Sequence, residues 1–234
     1  MQALLLAGGL GKRLRSVVND RPKPMALVND KPFLEYVINE LKKNEIKEII
    51  FAVGYKGSVI EEYFQDGSQF GVDIEYSYEE EQLGTAGAIR NAIQFIKEDE
   101  IFVLNADTFY SVNYSDLYKL YKNLSADMCI ILRQVDDISR YGQARVENNC
   151  LAAFNEKVQE KIKGTINGGI YLIKKSVIEK IPIGKISLEN DIIPVLLLEK
   201  SIIGALIETG YFIDIGIPED YYKFTDDVMG GIVK

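Results

Sequence analysis

Glycines and positive side chains share the first stretch of the chain: Gly8, Gly9 and Gly11 run into Lys12, Arg13 and Arg15, and Arg21-Pro-Lys-Pro-Met25 follows. Just ahead of them, Gln2-Ala-Leu-Leu-Leu6 has the length and composition of a buried strand. Glycines at a strand end let the backbone turn tightly and bring its N–H groups against a ligand without Cβ interference. Nearby cations then complete a phosphate site. A dinucleotide fingerprint would need glycine where Leu14 stands, and a P-loop would need Ser or Thr where Arg13 follows the Gly-Lys pair. The spacing disfavours both.

Two carboxylates sit in comparable places. Ile101-Phe-Val-Leu-Asn-Ala-Asp107 and Tyr211-Phe-Ile-Asp214 are apolar runs that stop on an aspartate. Such a residue either caps the next turn or holds Mg2+ beside phosphates. Gln82-Leu-Gly-Thr-Ala-Gly-Ala88 is a further glycine-rich entrance to a helix, and its spacing leaves helix packing and ligand approach equally open. The chain contains no histidine, which excludes Ser-His hydrolysis and the common zinc sites. Catalysis has to run on carboxylates, cations and positioning.

The elements that must carry these groups alternate. Leu34, Val37, Ile38 and Leu41 have helical spacing, Glu48 to Gly54 reads as a buried strand, Val59, Ile60, Tyr63 and Phe64 mark a helix, and Val72 to Tyr78 a third strand. Alternation of this kind predicts right-handed crossovers and a largely parallel sheet covered on both faces, with ligands outside the carboxyl ends of the strands. Past Leu132 the pattern changes to short strands separated by polar turns, read as a β-rich insertion lying over the sheet from Arg140 to about Asn167. Helices over Ser176 to Ile181 and Leu188 to Lys200 follow, and Pro218 opens the last helix. The expected fold class is α/β, with a mostly parallel mixed sheet flanked by helices on both faces, in one domain over 1–234 whose pattern changes at about residue 135.

The 234 residues suffice for a full core without staples, and the two cysteines, Cys129 and Cys150, read as packing in a reducing cytoplasm. A net charge of −8 argues against nucleic acid or an anionic membrane as partner, although the first 31 residues are locally positive and suit a small polyanion. Neither a leader nor a membrane span is read, and the expectation is a cytoplasmic protein, monomer or homodimer.

Taken together, Gly8 to Arg13, Pro22 to Pro24, Gln82 to Gly87, Asn105 to Asp107, Tyr141-Gly142, Glu156-Lys157, Ile166 to Tyr171 and Phe212 to Gly216 occur in the order of the sugar-1-phosphate nucleotidyltransferases. The chain most resembles the D-glycero-α-D-manno-heptose 1-phosphate guanylyltransferases of bacterial surface-glycan synthesis, which implies a Rossmann-like core with a nucleotide-binding part at about 1–135 and a small β-rich sugar-binding insertion at about 136–217. That resemblance implies a nucleoside triphosphate, GTP preferred, over Leu6, Ala7, Gly8, Gly9, Gly11, Lys12 and Arg13, with Gln82, Gly84 and Thr85 towards the base. It implies Arg13 and Lys23 as catalytic cations. Asn105, Tyr141, Gly142, Glu156, Lys157, Asn167 and Gly168 would hold the sugar 1-phosphate, and Asp107 and Asp214 would share Mg2+ as cofactor. Lys12 stands where the family often has threonine and Ala106 where it often has glycine; neither removes a group the chemistry requires. Alternatives are another sugar 1-phosphate (mannose, glucose or N-acetylmuramic acid), another nucleotide, or a non-catalytic nucleotide-sugar-binding regulator.

Overall fold

A computed structural model describes all residues except Leu10, Arg15, Arg140, Tyr141, 156–160 and Lys234, and all side chains of the rest except those of Lys12 and Asn155. In chain order the elements begin β1 (Gln2–Leu6), β2 (Leu27–Val28), β3 (Lys31–Pro32), α1 (Phe33–Lys43), β4 (Glu48–Val53), α2 (Gly57–Phe64) and β5 (Asp73–Tyr78). Next come α3 (Gly84–Asn91), β6 (Glu100–Asn105), β7 (Thr108–Tyr110), α4 (Tyr114–Leu124), β8 (Met128–Val135), β9 (Gln143–Glu147) and β10 (Cys150–Asn155). The chain closes with β11 (Gly164–Lys174), α5 (Lys175–Ile178), α6 (Ile193–Leu198), β12 (Ile203–Glu208), β13 (Phe212–Asp214) and α7 (Pro218–Met229).

Among the described residues nine strands form one sheet in the order β5-β4-β1-β6-β11-β8-β12-β10-β9. Strand β1 runs parallel to both β4 and β6, and β4 parallel to β5, while β11 is antiparallel to β6 and β8. The fold is therefore the α/β class with a mixed sheet. The continuous apolar run of β1 is explained by burial on both faces: Ala3 and Leu5 join the core built with Leu34, Val37, Ile38 and Leu41 of α1, and Leu4 joins the opposite core with Ile89 and Ala92. Chain order reverses across β1, with β4 on one side and β6 on the other. Loops leaving the carboxyl ends of neighbouring parallel strands at such a reversal part to open a crevice.

Two sequence expectations change. The β-rich segment does not lie over the sheet: the β9–β10 hairpin extends its edge, with β10 against β12 and β9 also reaching Ile166 of β11. Alternating residues bury only one face of such a hairpin, and periodicity cannot tell which sheet it joins. The single helix expected over Leu188 to Lys200 is divided into a π-helical turn, Leu188–Ile192, and α6. The N–H of Ile192 reaches back five residues to the Ser187 carbonyl (3.2 Å), and Pro194, which has no N–H to donate, stands in the first turn of α6.

The cysteines behave as packing. Cys129 is fully buried, and burial pushes its thiol up to about 12. Native protein at pH 7.5 is therefore expected to titrate with at most one thiol equivalent of Ellman's reagent, and denatured protein with two.

Candidate active site

The crevice beside β1 holds two adjoining cavities. One, of about 200 Å3, is lined by Leu6, Ala7, Gly9, Gly11, Arg13, Lys23, Pro24, Asp107 and Gly216. The other, of about 380 Å3, is lined by Leu6, Gly8, Gly9, Glu79, Gln82, Gly84, Thr85, Ala88, Asn105, Asp107 and Lys185. Leu6, Gly9 and Asp107 belong to both, so the glycine loop is the wall between them.

Lys23 is the centre of charge. Its helical turn, Lys23–Met25, is started by Pro22 and tightened by Pro24, with the N–H of Met25 donating to the Pro22 carbonyl (2.8 Å). The glycine loop packs directly on it: Gly11 has φ +56°, and a Cβ there would lie 2.9 Å from Lys23 Cβ. Only 8% exposed, the ammonium donates to Asp107 Oδ2 (2.6 Å) and Asp214 Oδ1 (3.2 Å).

The two aspartates are far apart in sequence and are joined by strand register. Strands β7 and β13 pair antiparallel, with Asp214 opposite Thr108, and the Ile215 N–H donates to the Asp107 carbonyl (3.1 Å). Against this two-stranded sheet Phe224 of α7 packs on Phe109 (ring centroids 5.5 Å apart) and on Phe33 of α1 (4.9 Å). The aromatic contacts fix the strand pair against the body of the protein.

Electrostatics differ at the three groups. Burial alone would lower Lys23, but Asp107 and Asp214 outweigh it and hold the ammonium above its ordinary range. Burial raises Asp107, and the lysine more than reverses this, leaving it below the usual carboxylate range. Asp214 is pushed above that range by burial and by the charge of Asp107, against the pull of Lys23 and Arg13. Arg13 itself is exposed, and its Nη2 lies beside Asp214 at Gly216, where an added Cβ would come within 3.2 Å of Nη2 and 3.0 Å of Asp214 Oδ1.

The larger of the two cavities depends on a second glycine contact. Gly84 has φ +70°, and a Cβ there would meet the Ile186 carbonyl oxygen at 2.5 Å. That oxygen accepts the N–H groups of Ala86 (3.0 Å) and Gly87 (3.2 Å), so the glycine packs helix α3 on the 182–187 loop while opening the cavity. The packing reading of this motif is thus observed, and Gly84 also lines the cavity.

Of the residues expected from sequence, Leu6, Ala7, Gly8, Gly9, Gly11, Arg13, Lys23, Gln82, Gly84, Thr85, Asn105 and Asp107 line the two cavities, and Asp214 joins through Lys23. The backbone of Lys12 starts the short helical turn Lys12–Leu14. Asn167 and Gly168 do not line either cavity: Asn167 donates to the Tyr171 hydroxyl (2.5 Å), and a Cβ on Gly168 would strike Tyr110 Cε1 and the Ile131 oxygen at 2.8 Å. Gly142 precedes β9, and Tyr141, Glu156 and Lys157 lie outside the described residues.

Sequence reasoning missed Glu79 and Lys185. Glu79 follows the carboxyl end of β5, the same placement that singled out Asp107, and was legible by that rule. Its Oε2 accepts the Leu83 N–H (3.2 Å), its Oε1 abuts Gly8, and burial raises it above the usual carboxylate range. Lys185 comes from the 182–187 loop, which only the docking onto α3 brings to the cavity.

The metal question turns on donor chemistry. Among the described residues no three acidic, histidine or cysteine side chains cluster. Two hard carboxylates beside a phosphate-sized cavity nonetheless fit Mg2+, which takes one or two carboxylates and completes its octahedron with water and substrate phosphates.

Residues 2–230 match the nucleotidyl transferase family model. The chain is 48% identical to the D-glycero-alpha-D-manno-heptose 1-phosphate guanylyltransferase of Campylobacter jejuni, over 96% of this chain and 98% of that one. It is 40% identical to the enzyme of the same name from Aneurinibacillus thermoaerophilus, over 95% and 96%. Among solved structures, HddC from Yersinia pseudotuberculosis complexed with GMP-PN superposes with a TM-score of 0.86 at 35% identity, covering 97% of this chain and 99% of that one.

Proposed function

The chain belongs to the nucleotidyl transferase family and is a nucleotidyltransferase, and we propose that it transfers the guanylyl group of GTP to D-glycero-α-D-manno-heptose 1-phosphate with Mg2+, yielding GDP-heptose and pyrophosphate for surface-glycan (capsule, O-antigen or S-layer) synthesis. The observation that carries this reading is the buried Lys23 held between Asp107 and Asp214 at the wall of a glycine-lined cavity.

The reaction joins two anions. A non-bridging oxygen of the sugar phosphate, ionised at neutral pH, attacks the α-phosphorus in line. The bond from that phosphorus to the bridging oxygen breaks, and pyrophosphate departs. No proton has to be moved, which suits a chain without histidine. The barrier lies in bringing like charges together and aligning them. Glycine N–H groups and the charges of Lys23 and Arg13 supply part of the neutralisation. Asp107 and Asp214 would hold Mg2+, which when bound adds charge neutralisation at both phosphates.

Arg13 works from an exposed position, where solvent screens it. Arg13→Ala is expected to lower kcat/KM about tenfold, mostly through KM for the triphosphate, in initial-rate measurements. A variant with wild-type KM would remove Arg13 from the site.

Glu79 supports guanine. A carboxylate only accepts hydrogen bonds, and the Watson–Crick edge of guanine offers two adjacent donors, N1–H and the N2 amino group, whereas cytosine and adenine present an unprotonated ring nitrogen there. Glu79→Gln is expected to reduce the preference for GTP over ITP, which lacks the amino group, by roughly tenfold. Unchanged discrimination would assign guanine selection elsewhere. The function as a whole is tested by pyrophosphate release for each nucleoside triphosphate against a panel of hexose and heptose 1-phosphates, with and without Mg2+. Preference for a hexose, or absence of release with every pair, overturns it.

A further inference from the structure

Lys56 ties down the loop that joins the two cationic turns of the site. Arg13 sits in the helical turn Lys12–Leu14 and Lys23 in the turn Lys23–Met25. At one end of the connecting loop the N–H groups of Val17 (3.0 Å) and Val18 (2.9 Å) donate to the Leu14 carbonyl, and at the other the Pro22 carbonyl accepts from Met25 (2.8 Å). Between these tied ends lie Asn19, Asp20 and Arg21. The Lys56 ammonium reaches across from the turn after β4 and donates to the carbonyls of Asn19 (3.3 Å) and Asp20 (2.7 Å). Among the described residues no other group donates to either carbonyl. Arg21 pairs with the Asp20 carboxylate (2.7 Å), an ion pair that stays within the loop.

The backbone of Lys56 is held where a lysine is strained, in the left-handed region at φ +54° and ψ +34°. Glycine and asparagine enter that region more readily. The turn from Gly54 to Gly57 is closed by the Gly57 N–H on the Gly54 carbonyl (2.9 Å), and Gly54 packs on the glycine loop: a Cβ there would lie 3.3 Å from the Gly8 carbonyl oxygen. Lys56 itself lines neither cavity. Strain that aims a side chain at a functional loop points to a role beyond folding. Its two hydrogen bonds are charge-assisted and hold two successive peptide units. Without them the loop spends less time in the arrangement that accepts a ligand, and the apparent affinity falls by that fraction.

We propose that Lys56 is a positioning residue for the nucleoside triphosphate: by clamping the backbone of Asn19 and Asp20 it keeps the Arg13 turn and the Lys23 turn in the arrangement that receives the phosphates. The proposal rests on the reading of the cavities as a nucleoside triphosphate site.

The test uses the full chain and three measurements: initial rates of pyrophosphate release with GTP at saturating D-glycero-α-D-manno-heptose 1-phosphate, thermal melting, and hydrogen exchange at the Val17 and Val18 amides. Lys56→Asn suits the left-handed backbone and is too short to reach the loop. It is expected to raise KM for GTP about fivefold, with kcat within about twofold of wild type. Its melting temperature should equal or exceed that of the wild type, and both amides should exchange about fivefold faster. Lys56→Gly should give the same pattern and serves if the asparagine variant does not fold. Lys56→Arg, a cation of similar reach, should keep KM within about twofold of wild type. Unchanged KM and unchanged exchange in folded Lys56→Asn overturn the proposal. So does a raised KM that comes with a lower melting temperature and is not restored by arginine, since that is a structural role only. A lower kcat at unchanged KM overturns it as well. Absence of pyrophosphate release from the wild-type chain overturns the functional reading beneath it; the exchange rates need no turnover, so they still decide whether the clamp exists, and the two failures are distinguishable.

Discussion

Lys23→Ala is expected to lower kcat/KM by 10² to 10³-fold, roughly the loss seen when a preorganised electrostatic stabiliser is removed. The magnitude follows from burial. At about 4 Å and an effective dielectric near 20, one cation is worth about 4 kcal/mol against a phosphate before desolvation, and Lys23, only 8% exposed, is poorly screened. The variant also leaves Asp107 and Asp214 facing one another without their shared ammonium, 2.6 Å and 3.2 Å away in the wild type. Its melting temperature without divalent cation should therefore fall. Added Mg2+ should raise it by more than in the wild type, because no ammonium competes for the same oxygens. Turnover within about threefold of wild type in a folded variant would remove Lys23 from the chemistry.

Asp214→Asn should cost roughly 10²-fold in kcat/KM as well, yet without the loss of stability. Asp214 is pushed above its ordinary value of 3.8 by burial and by the neighbouring Asp107 charge. An acid whose folded pKa is raised costs stability once the pH exceeds its unfolded value, and the cost is relieved as the pH falls below it. Asparagine removes that charge at every pH. At pH 7 the melting temperature is expected to equal or exceed that of the wild type, while Mg2+-induced stabilisation shrinks. Opposite movement of activity and stability marks a residue retained for function at the expense of folding. A parallel fall of both would place Asp214 among ordinary structural carboxylates.

The parts of the site that local sequence makes visible share one property: each is delivered by the end of a strand whose apolar run can be read directly. Leu6 at the end of β1, the glycines Gly8, Gly9 and Gly11 that follow it, and Asp107 after β6 were legible for this reason, and Glu79 after β5 follows the same rule. The parallel half of the sheet was legible too, because strand and helix periods alternate cleanly up to β6. From β8 onward short strands alternate without helices between most of them, and period alone could not say that the β9–β10 hairpin continues the edge of the same sheet. Nor could it separate the π-helical turn from α6, since both carry the same apolar face up to Pro194.

By itself, the amino-acid sequence pointed to a phosphate site, through glycines and cations after a buried strand and aspartates at two strand ends, and excluded imidazole chemistry through the lack of histidine, while nucleotidyl transfer rested on the resemblance of its motifs to a family. The tertiary structure decided which charges act on one another. Lys23 meets Asp107 and Asp214 because β7 and β13 pair in one register, Lys185 reaches the cavity because Gly84 and Gly87 admit the carbonyls of another loop, and Lys56 reaches the carbonyls of Asn19 and Asp20 from the turn after β4. Each of those contacts spans residues remote in the chain, and its strength comes from direction, distance and burial, which exist only once the strands are paired and the loops docked.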